Sequence, residues 1–195
     1  MAALAPKILR WNFAANTKTK QIDSVGIVLK PGLRFKDLGQ GLDDSYNFDS
    51  LEIIGPSGAA GLFRLTALQK IKENYQYFDE HFFMYREDCD LAYRLFLNNL
   101  KTKLVSGAII YHDRTAVASG HGLWRAVLDR GQKSQQVRLW SHLNQHIIYK
   151  KYWRKQNFVN KIFILVRVGL IFIFSLILEN FILKNYLLIR KYKNT

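Results

Sequence analysis

The chain is poor in cysteine, in acidic residues toward its C-terminus, and in recognisable metal- or phosphate-binding signatures. One cysteine, Cys89, in 195 residues excludes an internal disulfide and fits a reducing compartment. Its neighbours Asp88 and Asp90 disfavour a thiolate, so Cys89 reads as an unreactive packing residue. No CxxC or paired-histidine spacing marks a structural zinc. His81, His121, His142 and His146 show no ligand spacing. The opening "MAALAPKILRW" lacks the charged start, apolar stretch and small-residue cleavage site of a secretory signal. "GPSGAAG" (residues 55–61) has no following Lys-Ser/Thr, so on spacing alone it is a turn and not a phosphate-cradling loop. No internal repeat is present.

What is present is apolar and basic. Hydrophobic residues make up 49% and aromatics 14% of the chain, which excludes wholesale disorder. The net charge of +14 is unevenly spread. Residues 1–112 hold 14 Lys/Arg against 12 Asp/Glu, whereas residues 113–195 hold 15 against 3. The front has the balance of an ordinary globular domain. The back seeks an anionic surface, either a phosphate backbone or lipid headgroups.

Hydrophobic patterning predicts mixed α/β structure. "QIDSVGIVL" and "LRFKDLG" read as β-segments around the Pro31-Gly32 turn. "QGLDDSYNFDS" is a polar loop, "LEIIG" a short apolar strand, and "LTALQKIKENY" a helix. Leu91, Ala92, Leu95 and Phe96 recur at helical spacing, which predicts a helix from about Asp88 to Asn98-Asn99. "KTKLVSGAIIYH" reads as a strand or bent strand pair closing on His112. The N-terminal AALA before Pro6 looks like a chain joined in mid-fold.

The stretch "FDEHFFMYREDCDLAYRL" (residues 78–95) sets five carboxylates beside five aromatics. Glu87 and Asp88 are adjacent, although like charges repel and carboxylates near apolar walls lose hydration. In a first helical turn they also meet the favourable end of the helix dipole. Plain helix capping and a chemical role both stay open on these residues. Phe82 and Phe83 read as core; Tyr85 fits core or cleft wall equally. A lone His112 at a strand end reads as hydrogen-bonded structure as readily as a ligand.

The ordered elements "GPSGAAGLFRLTAL", FDE, FMYxEDxDLxxR and a closing YH, running from about Ala5 to Trp153, resemble the second half of inverting family 2 glycosyltransferases of the rhamnosyl- and galactofuranosyl-transferase-like group. The resemblance implies a partial GT-A domain, a Rossmann-like α/β fold, over residues 1–153, with an apolar, basic helical tail over 154–195. It implies Asp88 as the base that deprotonates the acceptor hydroxyl and Glu87 beside it at the acceptor. Gly58, Ala59 and Ala60 would pass close to the sugar, with Tyr85 as a further substrate contact. Asp90 and Arg94 would support the turn. His112 would help hold a divalent cation, Mg or Mn, in the complete enzyme. The partners implied are a nucleotide-sugar donor and a glycan or lipid-linked acceptor.

Such chemistry needs a base within hydrogen-bond reach of the attacking oxygen, and positive charge for the leaving diphosphate, which a metal supplies as a Lewis acid. Oxygen ligands with one imidazole suit these cations. The chain departs from the family in lacking an aspartate-containing metal motif before the hairpin; "LDDS" at 42–45 falls in a loop. Only about twenty residues precede the hairpin, short of the roughly 30 of a βαβ unit. The expectation is therefore a fragment carrying the acceptor side, inactive by itself. Ser106 stands where relatives commonly have Pro, which loosens that bend.

In the tail, the uninterrupted apolar run 168–178 is eleven residues, about 16 Å as helix against a ~30 Å hydrocarbon layer. A stretch of spanning length, 162–183, contains Arg167 and Glu179. With Lys150, Lys151, Arg154 and Lys155 upstream, the reading is a helix lying in or partly entering an anionic membrane face on the cytoplasmic side. A single span and a helix pair packed on the domain are the alternatives. Nucleic acid ranks last, since the basic cluster adjoins an apolar run and no RNP-type motif is present. A non-catalytic membrane-binding remnant of a transferase is the alternative to an enzyme part.

Overall fold

The computed structural model describes residues 1–48, 50–113, 130–131 and 133–192; His121 lies outside the described residues. The architecture is mixed α/β, in two compact units. The first comprises Met1–Leu29, Phe35–Asp79 and Glu87–Lys133, and the second Lys30–Arg34, Glu80–Arg86 and Ser134–Thr195. The boundary expected between residues 153 and 154 falls inside the second.

The first unit is organised on β1 (Ala3–Asn12), the stretch that looked joined in mid-fold. β2 (Thr17–Ser24) pairs antiparallel with its C-terminal half, from Ile8↔Ser24 to Asn12↔Thr17. The hairpin strands β3 (Ile27–Lys30) and β4 (Arg34–Asp37) form a two-stranded sheet, as the Pro31-Gly32 punctuation predicts. The short β5 (Leu62–Phe63) pairs with Ala3 and Leu4. Helices α1 (Leu65–Ile71) and α2 (Glu87–Leu97) precede β6 (Thr102–His112), which runs parallel to β1 along its other edge. A parallel pair requires a crossover connection, and α1 and α2 lie within it.

The β1–β6 register breaks after Pro6↔Val105, resuming at Lys7↔Ile109. Proline has no N–H to donate to a ladder, and β6 accommodates the break with the extra residues Ser106, Gly107 and Ala108. This is the bend that Ser106 was expected to loosen. Of the predicted elements, "LEIIG" does not form a strand; its pairing is the isolated bridge Ile27↔Gly55. Two apolar clusters enclose the sheet. Ala5, Leu9, Ile22, Val25, Phe48, Ile53 and Leu104 form one; Ala2, Ala3, Ala67, Ile71, Leu91 and Leu95 form the other, under α1 and α2.

The second unit is helical. Ser134 caps α3 (Gln135–Tyr152), its Oγ accepting from Val137 N at 3.3 Å. A 3-10 turn (Trp153–Lys155) leads to α4 (Phe158–Leu178), where Asn157 Oδ1 accepts from Asn160 N at 2.8 Å; side-chain oxygens at these positions satisfy helix N–H groups that would otherwise lack partners. A second 3-10 turn (Asn180–Leu183) enters α5 (Lys184–Lys191). Asn185 Nδ2 donates to Leu139 O on α3 at 2.8 Å, and Lys150 Nζ donates to the last carbonyls of α5, including Ile189 O at 3.1 Å. A lysine there complements the negative end of the helix dipole.

Glu179 does not interrupt the apolar helix as its sequence position suggested. It follows the last helical residue, is buried, and pairs with Arg138 at 2.7 Å. That leaves Lys161 and Arg167 as the charges within the 21 residues of α4, a helix about 30 Å long. Phe82 is buried as expected. Phe83 is not: it is exposed, with its ring 5.2 Å from that of Trp140.

Candidate functional site

α2 begins directly on the acidic pair, with Glu87, Asp88 and Asp90 in its first turn. The two residues before it, Tyr85 and Arg86, have left-handed backbones (φ 71° and 75°), a conformation uncommon for residues with side chains and frequent where function constrains the chain. In the second unit, Asn144 Nδ2 on α3 donates to Met84 O at 2.8 Å and Tyr85 O at 2.7 Å, holding that turn.

Asp88 is half-buried, and both of its carboxylate oxygens are engaged. Its Oδ2 accepts from Gly58 N at 2.9 Å and its Oδ1 from Cys89 N at 2.7 Å. The acidic turn and the small-residue bend, thirty residues apart, thus meet. Gly58 eases this approach, because a Cβ there would stand 3.2 Å from both Asp88 Cβ and Asp88 Oδ2, a tight contact. Ala59 is exposed and Ala60 half-buried beside it. Gly55 packs the base of the same bend on α2: a Cβ would come 2.9 Å from Ala92 Cα, so this position tolerates no side chain. Glu87 is half-buried at the helix start.

Asp90 and Arg94 hold the helix from below. Arg94 Nε donates to Asp90 Oδ2 at 3.0 Å, Nη1 to Ile71 O at 2.7 Å, and Nη2 to Tyr77 O. Asp90 is 0% and Arg94 3% exposed. A buried guanidinium tied to a carboxylate and two carbonyls fixes α2 to the chain that precedes it. Cys89 is buried.

His112 closes β6. Its Nδ1 lies 2.9 Å from Oδ2 of the buried Asp23, a residue that sequence reasoning missed. The only sequence signal was the pattern "IDS" on an alternating strand. A carboxylate on one ring nitrogen fixes the tautomer and aims the other nitrogen outward. Arg10, the cross-strand partner of His112, was also missed; its Nε and Nη2 are enclosed without hydrogen-bond partners among the described residues. No hydrogen bond joins His112 to Asp88 among the described residues, and Tyr85 belongs to the second unit. The surface hollow lined by Lys7, Tyr46, Phe48 and Ser106 contains none of the predicted site residues.

The implied divalent cation can be tested against these side chains. Among the described residues no three His, Cys, Asp or Glu groups gather as a cation site. His112 offers one oriented imidazole, which by itself does not hold Mg or Mn. These residues do not form a complete metal site.

No protein-family model matches the chain, and no curated protein matches it. The glycosyltransferase resemblance rests on the motif residues alone.

Proposed function

We propose that this chain supplies the acceptor side of an inverting sugar transfer, on a partial GT-A, Rossmann-like fold held at a membrane face. The observation that carries the reading is Asp88, a carboxylate fixed at a helix start by the Gly58 and Cys89 N–H groups beside a bend of small residues. A base so held pays little reorganisation when an acceptor arrives.

In this reading an acceptor hydroxyl gives its proton to Asp88 as its oxygen bonds the anomeric carbon of a nucleotide-sugar. The bond from that carbon to the diphosphate breaks in the same step, and the nucleotide diphosphate leaves with the electron pair. Glu87 contacts the acceptor, and Gly58, Ala59 and Ala60 leave room for the sugar ring. Asp90 and Arg94 keep the turn in place. Arg10 adds positive charge for the leaving group, and Asp23 orients the neighbouring His112 ring. Titration of alkyl glycosides into the full chain in neutral detergent tests this. Binding is expected to fall about tenfold in Asp88→Ala and in Gly58→Val. A chain that binds no glycoside would overturn the proposal.

Membrane association has its own support in α4. Its most apolar stretch has a mean hydropathy of 2.5 and is only 11% buried, which favours contact with lipid over a place in a packed helix pair. Its protein-facing side, at Ile164 and Ser175, is buried, while Phe172 meets Tyr186 of α5 at 5.4 Å. Arg167 within α4 and Lys161 near its start fit insertion from one side of the bilayer better than a crossing. A purely membrane-binding role without transfer is the second reading, favoured by α4 alone.

A further inference from the structure

One feature of the second unit is independent of sugar transfer. Three arginines from three segments, Arg34 at the hairpin tip, Arg86 before α2 and Arg167 on α4, are electrostatic neighbours of one tyrosine, Tyr149 on α3. Hydrogen bonds gather these segments. Gln145 Nε2 on α3 donates to Leu33 O at 3.1 Å, Asn144 Nδ2 to Tyr85 O at 2.7 Å, and Gly32 N to Asn160 Oδ1 on α4 at 3.1 Å. Each arginine of the two loops adjoins a pinned carbonyl, and Arg167 lies two turns along α4 from Asn160.

Tyr149 is 5% exposed, and among the described residues its hydroxyl has no hydrogen-bond partner; Gln145 stands close to it without completing one. A buried phenol normally finds a partner, and a bare one costs free energy. The guanidinium of half-buried Arg167 is acted on by Arg34 and Arg86, both repulsive, and by Tyr149. Like charges brought together in a partly dry place oppose folding. An anion would offset that repulsion and accept from the Tyr149 hydroxyl.

We propose that Arg34, Arg86, Arg167 and the Tyr149 hydroxyl form a binding site for a phosphomonoester or diphosphate group. Guanidinium forks match phosphate oxygens in pairs, and a phenol O–H supplies a neutral donor. Arg167 carries the site to the apolar helix, where a long side chain keeps its charged end at the polar boundary while its stem is in apolar surroundings. The group can come from a lipid headgroup or from a free phosphate compound.

Two arms distinguish these sources, both with the full chain. One titrates inorganic pyrophosphate into protein in neutral detergent by calorimetry. The other measures flotation with phosphatidylcholine vesicles with and without phosphatidic acid. Binding in the first arm identifies a site open to free phosphates, and binding in the second alone identifies a headgroup site; either supports the proposal. Arg167→Gln is expected to weaken the positive arm about tenfold or more, and Tyr149→Phe, which keeps the ring and the packing, severalfold. Lys184→Gln, an exposed charge outside the cluster, is expected to leave it nearly unchanged. Failure of both arms overturns the proposal. So does a loss in Lys184→Gln equal to that in Arg167→Gln, which would reduce the effect to net charge.

Discussion

The two units treat apolar side chains in opposite ways. The first closes Leu9, Ile22, Val25 and Ile53 around a sheet and buries the Asp90–Arg94 ion pair. The second buries histidines, tyrosines and amides on α3, while Leu170, Ile173, Leu176 and Ile177 of α4 face outward. The first unit thus encloses an apolar core of its own. A helical unit that exposes a 21-residue apolar helix has a surface far larger than soluble monomers leave open. In the proposed reading, chemistry falls to the first unit and membrane attachment to the second.

The largest expected effect breaks the attachment. Leu170→Asp with Ile173→Asp places two carboxylates on the outward face of α4. Each costs roughly 2.5 kcal/mol or more in the apolar layer, so binding to anionic liposomes should fall well over tenfold without loss of fold. Unchanged flotation would mean α4 is not the inserted element.

Next in size is the buried pair of the first unit. Asp90→Ala leaves Arg94 without its carboxylate and should cost about 3–5 kcal/mol in urea unfolding. A cost below about 1 kcal/mol would show that Arg94 relaxes toward water and does not fix α2.

The smallest effect is a pH dependence in the second unit. Burial pushes His146 below its ordinary 6.5; the positive charge of Arg167 pushes the same way, against the bond to His142 O. The unfolded chain takes up this proton at higher pH than the folded one. The contribution to stability is therefore complete above pH 6.5 and declines as pH falls through that value toward the lower folded one. Thermal unfolding should show this slope, and His146→Phe should remove it. An unaltered slope in that variant would place the titrating group elsewhere.

Much of this was legible in the sequence where periodicity and turn chemistry agree. Leu91, Ala92 and Leu95 announce α2, and Pro31-Gly32 the hairpin turn, where Gly32 adopts φ +74°. β1 was illegible because AALA followed by proline carries no β-branched alternation, and its strand character comes from pairing on both edges. "LEIIG" misled because a short apolar run reads alike as a strand or a packed loop. Glu179 read as an interruption because helix ends are invisible to a hydropathy count. His142 and His146 showed no pattern as ligands, yet as i and i+4 on α3 their rings lie 4.2 Å apart. At the site, the motif spacing brought out Asp88 and Gly58 but not Asp23 or Arg10, whose neighbours are set by strand register rather than by distance along the chain.

The central claim is that an acceptor hydroxyl reaches the Asp88 carboxylate at the Gly58 bend. The Gly58 and Cys89 amides donate to that carboxylate, so their NMR resonances report directly on what arrives there. Titrating an alkyl glycoside into the full chain should shift these two resonances first and together, and Asp88→Asn should blunt the response. Saturating glycoside that moves other amides while leaving Gly58 and Cys89 still would contradict the account.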